Sequence, residues 1–267
     1  MKKSLIISWI TAADYPLFRL WLKKWGVNFF DEIIIYFDVQ FRYPFYWAFI
    51  EQDLAQFPEI KFIDPVPVEK DWRATATTEL IKYATGDWIC SIEQDWFTTN
   101  WGKLLADTQN AINSSDDMFG WLNPTNTPYI HPSYWFIKRE VLEKTSKDFS
   151  AHPEINGSDH FAKITYDVNQ LGGRITSLQD IGYDCDFKPD TDCFHLGGVN
   201  QNYLIGMNEG VQLHRPEAFL IYNYLCRQAQ VSQDDKFLAI SQDIEAKFLP
   251  QYDLNLVHND WGKFFLI

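Results

Sequence analysis

Apolar residues follow two patterns along this chain. The first is the short apolar run: LIISWI at 5–10, IIIYF at 33–37 and WICSI at 88–92, with IKFI at 60–63 as a further short strand. Successive side chains of a strand point to opposite faces, so a run apolar at every position predicts a strand covered on both faces. Strands are expected at residues 4–10, 32–37, 60–63 and 88–92. The second pattern is helical. Leu17, Leu20, Trp21 and Trp25 recur three and four apart before Gly26, which predicts a helix over 15–25. Helices are also expected over 46–57 and 72–85, the latter closed by Gly86. The first hundred residues therefore read βαβαβαβ, the order of a parallel sheet with helices on its faces.

The second half is less regular. Helices are expected at 101–113, 138–145 and 159–171, and strands at 119–122, 134–137 and 174–177. Two amphipathic helices, 217–228 and 234–248, close the chain. The expected organisation is one domain over 1–205, with halves at about 1–97 and 98–205, and a helical extension over 206–267. The start, Met1 to Lys3 followed by SLIISWITAA, has the outline of a short signal peptide. The run is short for that role and is broken by Trp9, and the next segments look like its sheet partners, so it is read as the first strand.

Composition changes this picture in three ways. Of the 267 residues, 46% are hydrophobic, enough for a sizeable core, and no apolar run approaches the ~20 residues that span a bilayer. The formal net charge of −13 argues against binding nucleic acid through its phosphates. It also means that a phosphorylated ligand would need a cation to offset repulsion. The four cysteines, Cys90, Cys185, Cys193 and Cys226, form no C-x-x-C pair and read as reduced thiols of a cytoplasmic protein.

The chemistry gathers at strand ends. In a parallel sheet, ligands bind beyond the carboxyl ends of the strands. Thr11 and Asp38 follow the first two strands, and Glu93 and Asp95 follow the fourth. Two carboxylates at i and i+2 share one side of an extended chain. Their repulsion calls for a cation or for water.

With these elements in place the sequence resembles the nucleotide-sugar-dependent glycosyltransferases of the GT-A fold, most closely the family-2-like group. The resemblance covers roughly the first two hundred residues. It rests on ATGDWICSIEQD at 84–95, YWFIKREVLE at 134–143, Ser158-Asp159-His160 opening a helix, and FHLGG at 194–198. It departs from the family in having Glu93, not Asp, at the start of the acidic motif, and Ser158 before Asp159.

The resemblance implies a GT-A sheet and a divalent cation, Mn2+ or Mg2+, at Asp95 with Glu93 and His195. It implies a nucleotide-sugar site at Thr11, Asp38, Arg73 and Glu93. An Asp at the second strand end accepts the imide N–H of uracil, which points to UDP-linked donors. Asp159 is implied as the base that deprotonates the acceptor hydroxyl, with His160 as its neighbouring substitute, and such a reaction inverts the anomeric centre. Plainer readings stand beside these. His195 as a core histidine, Asp159 as an acid at a helix start and Arg73 as a surface ion-pair partner all remain open. Trp96, Trp121, Tyr134 and Trp135 lie near the expected acceptor cleft, but core packing is the stronger reading for each.

The leading function is thus a metal-dependent glycosyltransferase without a membrane-spanning segment. The acceptor is open: a glycan, a lipid-linked sugar, a protein, or a hydroxylated DNA base stacked on aromatic residues. A non-catalytic relative that binds only nucleotide or carbohydrate is the alternative from another class. A nucleotidyltransferase ranks lower, because SWITAAD at 8–14 has neither the glycines nor the basic residue that class places after its first strand.

Overall fold

The computed structural model describes residues 1–9, 27–37, 55–63, 72–93, 96–98, 100–123, 128–153, 160–186 and 191–195. The four expected strands are present. Strand β1 (Lys3–Trp9) lies between β2 (Glu32–Phe37) and β4 (Trp88–Ile92), parallel to both, and β3 (Ile60–Ile63) adds in parallel outside β2. Their apolar character has the expected cause. Leu5, Ile7, Ile33, Ile35, Cys90 and Ile92 pack into one core cluster, whereas Ile6, Ile34, Tyr36 and Ile89 pack into a second on the opposite face. Strands β1, β2 and β4 are thus covered on both faces, whereas β3, at the edge of the sheet, leaves Lys61 exposed.

Beyond the acidic motif come β5 (Trp96–Thr98), helix α2 (Trp101–Asn113), β6 (Met118–Leu122), β7 (Ile130–Lys138) and the one-turn helix α3 (Arg139–Leu142). Helix α1 (Trp72–Ile81) precedes β4. Helix α4 (Ala162–Gln170) and β8 (Ile175–Ser177) follow, then β9 (Cys185–Asp186) and β10 (Cys193–His195). The main sheet has seven strands in the order β3-β2-β1-β4-β7-β6-β8. Strand β7 is antiparallel to both β4 and β6. A second sheet, β5-β10-β9, sits beside it.

Several boundaries move from expectation. Helix α1 stops at Ile81, four residues early, and the chain turns through Tyr83 and Ala84 into Gly86. A Cβ on Gly86 would lie 2.6 Å from Ser4 Oγ and 2.7 Å from Ser4 N, so glycine is what lets this turn press against β1. Helix α4 begins at Ala162, not 159. Of the helix expected over 46–57, residues 46–54 lie outside the described residues and 55–56 form a turn. The helices expected over 15–25 and over 206–267 lie outside the described residues. Among those described, no helix is long and apolar enough to cross a membrane.

Strand β7 begins four residues before the expected strand. Pro132 lies within this strand, IHPSYWFIK, although proline cannot donate to a ladder. A bulge removes the conflict. Gly120 pairs with Trp135 and Leu122 with Ile130, so a single residue of β6, Trp121, stands opposite four of β7, His131 to Tyr134. Pro132 falls in that bulge.

Candidate functional site

The direction of the strand order reverses between β1 and β4, since β1 continues to β2 and β3 on one side while β4 leads to β7 on the other. A crevice opens at such a reversal, beyond the carboxyl ends of the two strands. A small cleft of about 20 Å3, room for about one water molecule, lies there. Ile7 and Ser8 at the end of β1, and Ser91, Ile92 and Glu93 at the end of β4, are among its walls.

Glu93 is the first residue past β4. Its backbone N–H donates to Ser133 O at 2.9 Å, which continues the antiparallel ladder with β7. Its side chain is 21% exposed, and Oε2 accepts from Ser133 Oγ at 2.7 Å and lies 2.8 Å from His195 Nε2. Ser133 Oγ also stands 2.8 Å from His131 Nδ1, a nitrogen that accepts the backbone N–H of Ser133 at 3.2 Å. The indole of Trp121 packs against both imidazoles, its ring centre 4.3 Å from that of His131 and 6.0 Å from that of His195. The two imidazole centres are 5.4 Å apart.

Three local features assemble this group. The β7 bulge brings His131 and Ser133 opposite Trp121 and beside Glu93, in keeping with the concentration of bulges near active sites. Trp96 N–H, at the start of β5, donates to Glu93 O at 3.1 Å. Strand β10 pairs antiparallel with β5, His195 opposite Trp96, and this returns the histidine to the carboxylate it met a hundred residues earlier in the chain. His195 was expected in a ligand loop and stands instead at the end of a strand.

The sequence-predicted residues divide into three groups. Glu93 and His195 are brought together. Arg73 lies in the first turn of α1, and its side chain is outside the description. Thr11, Asp38, Asp95 and Asp159 lie outside the described residues. His160, next to Asp159, is buried and lines the same cleft as Glu93. Trp96, Trp121, Tyr134 and Trp135 are fully buried, which supports the core reading over an exposed stacking surface.

Sequence reasoning missed His131 and Ser133. The signal was the alternation His131-Pro-Ser133 directly before an apolar strand, two polar groups on one side of the chain. Among the described residues no group of three His, Cys, Asp or Glu side chains is spaced to hold a metal ion. The Glu93–His195 pair nevertheless offers one oxygen and one nitrogen donor side by side. Of these two donors, the carboxylate suits hard cations such as Mg2+ and Mn2+ and the imidazole suits zinc and its neighbours.

Solved structures resemble this fold. The chain aligns with the mannosyltransferase PcManGT from Pyrobaculum calidifontis, solved in complex with GDP-Man and Mn2+, at 12% identity over 94% of this chain and 76% of that one, with a TM-score of 0.51. The fold is GT-A. The GT-A likeness is one of architecture, a mostly parallel sheet flanked by helices, since identity this low carries nothing further. The chain also aligns with residues 1–349 of TarS from S. aureus at 14% identity, over 99% of this chain and 80% of that one, with a TM-score of 0.48. It aligns as well with a CMP:2-keto-3-deoxy-manno-octonic acid synthetase complexed with CTP, at 11% identity over 67% of this chain and 89% of that one, TM-score 0.45. No protein-family model matches the sequence, and no curated protein matches it.

Proposed function

We propose that this chain is a metal-dependent glycosyltransferase that moves a sugar from a nucleoside diphosphate sugar, UDP-linked by preference, to an acceptor hydroxyl with inversion. The observation that carries the reading is the Glu93–His195 pair, 2.8 Å apart, with Glu93 just past the end of β4 where the strand order reverses. In this reading Glu93, Asp95 and His195 hold Mn2+ or Mg2+. When bound, such a cation supplies Lewis-acid neutralisation of the diphosphate leaving group. Ser133 donates to Glu93 and fixes the direction in which the carboxylate faces. Asp38 accepts the uracil imide N–H, while Thr11 and Arg73 contact base, ribose or phosphate. Asp159 takes the proton of the acceptor hydroxyl as its oxygen attacks the anomeric carbon from the face opposite the diphosphate. A site in the cytoplasm is in keeping with the buried free thiols of Cys90, Cys185 and Cys193.

The test is turnover with Mn2+ and a panel of UDP-, GDP-, CDP- and ADP-linked sugars, read as release of free nucleoside diphosphate, followed by the anomeric configuration of the product. An α-linked donor is expected to give a β-linked product. Asp159→Asn keeps the shape but removes the basic oxygen, and is expected to lower kcat by about 100-fold with donor binding little changed. An α-linked product from an α-linked donor, or near-normal turnover by Asp159→Asn, would refute the base assignment. Preference for GDP- or CDP-linked donors would refute the role given to Asp38.

A further inference from the structure

Two cysteines face one another across the small sheet. Strand β9 pairs with β10 in parallel, and the register sets Cys185 directly opposite Cys193. Opposed residues of neighbouring strands point to the same face. Both side chains enter the same core cluster, Cys185 7% exposed and Cys193 fully buried, and their thiols are in hydrogen-bonding contact. Cys193 N–H donates to Asp184 O and Asp184 N–H to Asp192 Oδ2, both at 3.0 Å, which holds the register. Cys90 is placed differently. It stands in β4, and its thiol donates to Ser4 O at 3.1 Å.

Neighbouring strands run about 4.8 Å apart, and a disulfide spans Cα separations of about 4.4–6.8 Å. The pair is therefore placed to bridge with little movement of either strand. Access comes from the edge. Among the described strands of this sheet, ordered β5-β10-β9, β9 is an outer one, and it has only the residues Cys185 and Asp186. So short an edge strand opens locally at low cost. In the closed sheet, contact with Cys193 and burial hold the Cys185 thiol well above the ordinary thiol range. The closed pair is thus a poor nucleophile, and reaction runs through the open form.

We propose that Cys185 and Cys193 are a dithiol oxidation site, at which a peroxide converts the two thiols to a disulfide that pins β9 to β10. The Cys185 sulfur attacks one oxygen of hydrogen peroxide, the O–O bond breaks, and the departing hydroxide takes the thiol's proton to leave as water. Cys193 then attacks the sulfur of the resulting sulfenic acid. An S–S bond forms, and the displaced hydroxide leaves with the Cys193 proton as a second water. The thiols lose two electrons and the peroxide gains them. Strand β10 also carries His195, so the bridge tightens the strand on which that residue stands. The proposal is independent of the transferase reading.

The test uses the whole folded chain, reduced with dithiothreitol, freed of reductant, treated with hydrogen peroxide, quenched with catalase, then denatured and alkylated with iodoacetamide. Cleavage before aspartate separates the two cysteines, because Asp186, Asp190 and Asp192 lie between them. Mass spectrometry is expected to find peptides joined through Cys185 and Cys193, and to lose them on reduction. Amide hydrogen exchange over 193–195, measured on oxidised and reduced protein before denaturation, is expected to slow about tenfold on oxidation, since the bridge restrains the opening. Cys185→Ser should show neither the link nor the slowing. Alkylation of both cysteines after peroxide would overturn the proposal. So would oxidation of either one without a link, a link to Cys90 or Cys226 instead, or linked peptides with unchanged exchange. These measurements on wild type decide the matter even where circular dichroism finds Cys185→Ser unfolded.

Discussion

One oxygen, Oε2 of Glu93, is reached from two directions at once: by the hydroxyl of Ser133 from β7 and by the imidazole of His195 from β10. A carboxylate held at two points has lost its rotamer freedom before any ligand arrives, so a ligand that uses it meets a preorganised group. This makes Ser133 a positioning residue whose removal should be felt by the cation more than by the fold. Ser133→Ala is expected to leave the melting temperature within a few degrees of wild type and to weaken Mn2+ binding about 10- to 100-fold, as loss of a partner behind a metal ligand generally does. A manganese titration read by electron paramagnetic resonance measures it, and unchanged affinity would remove Ser133 from the site. At this scale Glu93 and His195 were legible in the sequence, one because an acidic motif closed an apolar strand and the other because glycines followed it. Ser133 and His131 were not. Their polar alternation was visible before an apolar strand, but their place beside Glu93 depends on a bulge set by pairing with β6.

At the scale of elements, the opposite end of the sheet is closed by a buried carboxylate. Glu32, at the start of β2 and 2% exposed, accepts from Ser4 of β1, from the backbone N–H and hydroxyl of Thr85 in the turn before β4, and from Lys61 of β3 at 2.9 Å. One side chain thus joins four segments. Burial alone would raise its pKa, but the hydrogen bonds from Lys61, Ser4 and Thr85 outweigh it and hold the carboxyl at about 2, against an ordinary 4.5. Above pH 4.5 the folded and unfolded chains are both ionised here, and the full stabilisation, about 2–3 kcal/mol, is present. As pH falls from 4.5 towards 2 the unfolded chain takes up its proton first, and the stabilisation is lost. Glu32→Gln is expected to lower stability by about that amount at pH 7, with the gap to wild type closing between pH 4.5 and 2. Urea unfolding at pH 7, 4 and 3 checks it, and a gap independent of pH would contradict the clamp.

The elements also differ in how far the sequence disclosed them. Strands β1, β2 and β4 were legible because each is buried on both faces and so reads as a nearly continuous apolar run. The sheet β5-β10-β9 was not, because strands of two or three residues are too short to show a period. It is this small sheet that carries His195 back to Glu93.

At the scale of the whole molecule, the architecture brings one crevice and one rim of donors to the same edge of the sheet, on a chain whose net charge is −13. An acidic protein with a carboxylate at the mouth of its cleft repels a nucleoside diphosphate unless a cation stands between them. Metal-dependent donor binding is therefore the central claim, and it follows from the charge balance as much as from any one residue. Calorimetric titration of UDP-sugars and GDP-sugars into the protein, with Mn2+ and with the metal chelated, tests it most directly. The expected result is binding with Mn2+, none after chelation, and none in Asp95→Asn with its fold intact by circular dichroism. Equal affinity with and without metal, or donor binding by Asp95→Asn as tight as by wild type, would contradict it.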